Sequence, residues 1–168
     1  KIYGIENDEV PLVSFNLSIN GGQLLDSFDK TGLAYITVSL MNKGTKNKTV
    51  NELEEAIKEL GATIYISCSS ENISVSGTTL SKNYEETVLL VEEMLLEPRF
   101  DETEFEILKK SISSNILQQK ANPYSIADNA FYKLIYGEKN IRSKNILGTY
   151  KSLESITIDD VKSFYNNN

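Results

Sequence analysis

The 168-residue chain contains no histidine. That absence removes imidazole both as a general base and as a metal ligand. Only one cysteine occurs, Cys68, so no internal disulfide can form and the redox compartment stays open. No apolar run approaches the roughly 20 residues that cross a bilayer, and none of these residues reads as a secretory leader, Lys1 opening directly into folded-looking sequence. Basic runs of the kind that track phosphates are missing too. Lys and Arg number 17 against 24 Asp and Glu, a net charge of −7, so neither nucleic acid nor a membrane is expected as a partner. Cytoplasm and cell envelope or periplasm both remain possible. What is present suits a globular domain: 40% apolar and 24% charged residues argue against disorder. The length is enough for one sizeable core.

Read in order, residues 1–8 form a lead-in that closes in a turn at Glu6, Asn7 and Asp8. Val13, Phe15, Leu17 and Ile19 then alternate with Ser14, Asn16 and Ser18, the period of a half-buried strand. Pro11 belongs at its start or on an edge, and Gly21-Gly22 breaks it. A polar connection, residues 26–30, leads to a helix opening at Gly32. A second helix has Thr49 and Glu52 at capping-box spacing, a buried stripe of Val50, Leu53, Ile57 and Leu60, and Gly61 as its stop. Ile64, Ile66 and Cys68, then Ile73 and Val75, predict a hairpin that ends at residues 77–81. A third helix is marked by Tyr84, Val88, Val91 and Leu95 and is terminated by Pro98. Asp101 and Glu104 repeat the capping-box spacing before a long fourth helix through Phe105, Leu108, Ile112 and Ile116. After Pro123, Ser125 is placed to cap a helix buried through Ile126, Ala130 and Leu134. Residues 137–149 read as a polar loop, and the last helix starts at Thr157 with Ile158, Val161 and Phe164 or Tyr165 inward. Strands early and helices late predict an α+β fold. The expected architecture is a two-layer sandwich, an antiparallel sheet with helices packed on one face.

The stretch around Gly32 organises the rest. Leu33, Ile36 and Leu40 share one stripe, with Ala34, Val38 and Met41 beside it, so most of this helix is apolar. Lys43 sits where a cation complements the helix dipole, and Gly44 where the helix can stop. The frame Gly32-x-Ala34 followed by Lys43-Gly44-Thr45 resembles the active-site helix of the pitrilysin/insulinase family of zinc metallopeptidases, which includes mitochondrial processing peptidase. Residues 11–22, Leu60-Gly61-Ala62-Thr63, the corner at residues 95–100 with Glu102, Glu104 and Phe105, Tyr136-Gly137, and Gly148-Thr149 resemble further family segments in order and spacing. The resemblance implies the family's half-domain, of the LuxS/processing-peptidase-like type. It implies one domain over residues 1–168 lacking its last strand, with both ends reading as cuts rather than natural termini.

In active relatives the helix carries the inverted zinc motif His-x-x-Glu-His. The resemblance places Tyr35 at the first histidine, Val38 at the general-base glutamate and Ser39 at the second histidine. The third ligand, a glutamate, would fall within residues 111–119, which hold no acid. Zinc needs about three protein ligands and an open position for water, and that water needs a base. No catalytic or metal-binding residue is therefore expected in this chain, and its substrate-contacting residues are left unassigned. The resemblance implies the first domain of a degenerate C-terminal half, lending chamber walls and peptide contacts to a companion half that holds zinc. Fused and separate companions both fit, and a peptide would add by main-chain pairing along a sheet edge. A structural subunit that has left proteolysis is the alternative. A stand-alone hydrolase lacks any nucleophile–base pair.

Plainer readings hold for the remaining candidates. Glu52, Glu54 and Glu55, Glu85 and Glu86, and Glu92 and Glu93 fall on solvated helix faces. Tyr35 and Ser39, one turn apart, could touch a peptide, although a packed tyrosine with a hydrogen-bonded hydroxyl is more common. Cys68 reads as a small buried residue. Gly21-Gly22 is a strand-end turn rather than a phosphate loop.

Overall fold

The computed structural model describes residues 1–5 and 9–168, so the turn expected at Glu6, Asn7 and Asp8 lies outside the described residues. Three strands, β1 (Leu12–Asn20), β2 (Thr63–Cys68) and β3 (Asn72–Leu80), form an antiparallel sheet in the order β1-β3-β2. Strand alternation sorts the side chains by face. Phe15, Ile66, Val75 and Thr79 turn toward the helices. Ser14, Asn16, Thr63, Tyr65, Ser76 and Thr78 turn away and carpet the other face with polar groups. Phe15 and Gly77 are direct partners across β1 and β3, and the Phe15 ring occupies the space a side chain at 77 would need. An aromatic ring laid over a glycine covers the backbone that the glycine leaves bare.

Helices α1 (Leu33–Met41), α2 (Val50–Glu59), α3 (Tyr84–Leu96), α4 (Glu102–Ala121), α5 (Pro123–Tyr136), α6 (Tyr150–Ser155) and α7 (Ile158–Asn167) complete the chain. α1 is the hub: it packs on β2, α4 and α7. Ala34, Ile36, Val38 and Leu40 are each no more than 1% exposed, which fits a helix apolar around most of its circumference. The expected two-layer α+β architecture is observed. None of the described helices is long and apolar enough to cross a membrane.

Several local expectations are corrected. α1 ends at Met41, so Lys43 lies beyond its last turn. Gly44 instead accepts from the Arg99 amide where Thr45 bridges Pro98. β3 continues through Gly77 to Leu80, because β1 offers it a full-length partner. Leu17 and Ile19 share the face of Phe15 yet stay exposed, because the helices cover only the Phe15 part of the edge strand β1. The buried stripe of α3 is Thr87, Leu90, Val91 and Met94, rotated from Tyr84, Val88 and Leu95. A buried bond from Thr87 Oγ1 to Thr79 Oγ1 (2.9 Å) lets that polar residue turn inward.

Thr49 and Thr157 make capping boxes, but Asp101 caps α4 one way only, through the Thr103 and Glu104 amides. Asn122 rather than Ser125 caps α5, with Pro123 at the first helical position, where a missing N–H costs nothing. Two short 3-10 turns, Gly22–Leu25 and Phe28–Lys30, lie between β1 and α1, the second within the polar connection expected at residues 26–30. α6, an extra short helix, follows the loop. The largest departure is α5. Its expected core residues Ile126 and Leu134 are 53% and 85% exposed, and the helix buries no residue. It contacts α4 and the turn at Ile141–Ser143, but these leave its apolar stripe largely uncovered.

Candidate functional site

The start of α1 is held from two sides. Gly32 and Ala34 donate their amides to the two carboxylate oxygens of Asp26, at 2.7 and 2.8 Å, so a buried acid takes the place of a conventional cap. Burial pushes the Asp26 carboxyl up to about 6, against the pull of these two amides. From the far end of the chain, Ser152 Oγ donates to the Thr31 carbonyl at 2.8 Å, and Thr31 Oγ1 donates to Ser152 Oγ at 3.1 Å. Gly32 and Gly148 both have positive φ, 97° and 79°, and their backbones nearly touch.

Along the helix so positioned, Tyr35 and Ser39 sit half-buried one turn apart, while Val38 is 1% exposed inside the core. Tyr35 packs against the core, and its hydroxyl has no hydrogen-bond partner among the described residues. A phenol, a buried isopropyl group and a hydroxyl offer neither imidazole nor carboxylate. The facing part of α4, residues 111–119, holds no acid. Among the described residues no three His, Cys, Asp or Glu gather where they could hold a metal. The residues present do not fit a zinc ion.

Asn42, just past α1, went unnoticed in the sequence. It donates Nδ2 to the Ile66 carbonyl at 2.8 Å and accepts the Ile66 amide on Oδ1 at 3.0 Å. One side-chain amide thus takes both main-chain groups of Ile66 on the outer edge of β2, as a neighbouring strand would. An asparagine after a helix signals only an end, so no sequence pattern could reveal this contact.

The other candidates follow the plainer chemistry, with one exception. Glu54, Glu55, Glu85, Glu86 and Glu92 are exposed, and Glu52 closes the Thr49 capping box. Glu93 differs: it takes Lys48 Nζ and Thr45 Oγ1, each at 2.6 Å, and Asn47 Nδ2 at 3.2 Å. Burial alone would raise its carboxyl, but these donors hold it below the usual range. Glu93 therefore ties the loop after α1 to α3. Cys68 is half-buried with Sγ 3.5 Å from the Ser69 carbonyl. Burial, with Asp26 adding to it, pushes the thiol up to about 12, far from a nucleophilic thiolate.

Residues 3–148 match the insulinase family, peptidase family M16. The chain belongs to that family. It is 22% identical over 157 residues to the non-peptidase homolog YmxG of Helicobacter pylori, covering 94% of this chain and 36% of that one. Among solved structures it is similar to a peptidase M16 inactive domain from Pseudomonas fluorescens, with TM-score 0.86 and 24% identity over 93% of this chain and 38% of the other. It is also similar to the periplasmic protease PqqL of Escherichia coli, with TM-score 0.81 and 15% identity over 93% of this chain and 18% of that protein. The M16 chain thus spans little more than a third of the first two relatives and less of the third. The Gly32, Gly44 and Gly148 frame that carried the resemblance occupies tight backbone turns in this M16 domain.

Proposed function

We propose that this chain is a non-catalytic domain of a zinc-dependent metalloendopeptidase, the first domain of its degenerate C-terminal half. It supplies chamber wall and peptide contacts to a companion half that holds the zinc. One observation carries the reading: an M16 active-site helix keeps its glycine frame while Tyr35, Val38 and Ser39 occupy the chemical positions, Val38 within the core. No residue of this chain is assigned a catalytic or metal-binding role. The relatives' greater length leaves room for a companion half.

The polar sheet face supports the wall. Ser14, Asn16, Thr63, Ser76 and Thr78 offer short uncharged donors and acceptors, suited to the main chain of an extended peptide. A peptide adding by strand pairing meets β2 closed at Ile66 by Asn42, whereas the outer edge of β1 pairs with no strand among the described residues. The alternative, a structural subunit of an assembly without proteolysis, draws on the non-peptidase name of the Helicobacter relative.

The test is isolation of the native assembly with this chain as bait, followed by elemental analysis and a peptidase assay on an unfolded peptide. Zinc in a companion segment, and cleavage abolished by a chelator, are expected. An assembly free of zinc and of chelator-sensitive cleavage would overturn the proposal in favour of the structural subunit.

A further inference from the structure

α5 stands away from the core, and between it, α4 and residues 143–150 lies an open cleft of about 620 Å³. That size is within the range of ligand pockets, about 300–1,000 Å³. The chain carries seven more acidic than basic residues, yet Lys120, Lys133 and Lys144 line this cleft and no Asp or Glu does. None of the three lysines forms an ion pair among the described residues.

The amides beside them are set the same way. Asn145 Oδ1 accepts the Leu147 amide at 2.9 Å, which fixes its Nδ2 as the group facing Gln119 and Asn129. Nδ2 donates to Gln119 Oε1 at 2.7 Å and, more weakly, to Asn129 Oδ1 at 3.5 Å. Gln119 and Asn129 thereby turn their oxygens toward Asn145, and their NH₂ groups keep no partner among the described residues. Lys120, Lys133 and two amide donors line one cleft without a carboxylate to answer them, and Lys144 flanks it with its ammonium over the Phe28 ring, 5.6 Å from the centroid. A lining with cationic and amide donors, hydroxyls at Ser143, Thr149 and Tyr150, and no carboxylate favours an anionic acceptor.

We propose that this cleft binds the side-chain carboxylates of an acidic peptide, an assignment that rests on the peptide-contacting role proposed above. A peptide fits better than a small anion because Ile116, Ile126 and Ala130 add an apolar wall along the same cleft, which suits the stems of neighbouring side chains.

The test uses the full chain and fluorescence anisotropy. The probes are a short Glu-rich peptide amidated at its C-terminus, its Gln counterpart and its Lys counterpart. Preferential binding of the Glu peptide is expected, weakening as salt rises through about 0.1 M, where the Debye length is about 10 Å. The triple variant Lys120→Gln, Lys133→Gln, Lys144→Gln is expected to bind it roughly tenfold more weakly, while the triple Lys→Arg variant keeps most of the affinity. Circular dichroism checks that both variants fold. Binding indifferent to peptide charge, or unchanged by the Gln substitutions, overturns the cleft assignment and leaves the peptide-wall reading standing. Displacement by inorganic phosphate at concentrations equal to the peptide's also overturns it, in favour of a general anion site. Failure of all three peptides to bind overturns both readings.

Discussion

Gly32 and Gly148, from opposite ends of the chain, pack backbone to backbone at the start of α1. A Cβ at Gly32 would come 2.7 Å from the Leu147 carbonyl oxygen, and one at Gly148 would overlap the Thr31 carbonyl. Both also hold positive φ, where a side chain adds strain. Gly148→Ala is expected to cost about 3 kcal/mol or more, since strain and backbone overlap add. Urea unfolding measures it, and a loss under about 1 kcal/mol would mean that the two segments can move apart.

Asp26 gives stability a pH signature. Its carboxyl lies near 6 in the folded chain against an ordinary 3.8, so the folded state binds the proton more tightly than the unfolded state. Its contribution is then greatest below about pH 4 and falls as pH rises toward 6. Glu93 and Asp160, both held low, act in the opposite sense and lose their contribution under acid. Asp26→Asn keeps an acceptor for one amide but faces the other with an NH₂ group. It is expected to lower stability throughout and to remove the decline between pH 4 and 6. Parallel slopes for the two proteins in that window would contradict the assignment.

Asn42→Ala frees the Ile66 amide and carbonyl on the β2 edge. The expected cost is about 1–2 kcal/mol for two partly buried hydrogen bonds, with faster hydrogen exchange at the Ile66 amide. Exchange as slow as in the parent would show that another group protects this edge.

Val38→Glu tests how the core receives an acid at the position that the family resemblance aligns with the general base. Val38 is 1% exposed, so a carboxylate there is desolvated. A loss of about 3 kcal/mol or more is expected near neutral pH, with less at pH 4, where the acid is neutral. A variant as stable as the parent at both pH values would mean that water reaches this position.

Cys68 is expected to react slowly with a disulfide reagent at pH 8 in the folded chain, and quickly in urea, because its thiol is pushed up to about 12. Equal rates in the two states would place the thiol in solvent.

The sequence alone determined the strand alternation, the Thr49 and Thr157 caps and the frame of α1. Each depends on residues a few positions apart, where periodicity and capping act. The expectation of no zinc site was equally local, because ligands are residue types and the resemblance places Tyr35, Val38 and Ser39 at the motif positions. Tertiary structure decided what faces what. Nothing in the spacing of Ile126 and Leu134 tells a covered stripe from a bare one. Only the placement of α5 outside the core leaves them exposed. Likewise Asn42 on Ile66, Gly148 against Thr31 and the three lysines around one cleft join segments far apart in sequence. Such meetings arise from packing the whole chain around α1, and no local pattern records them.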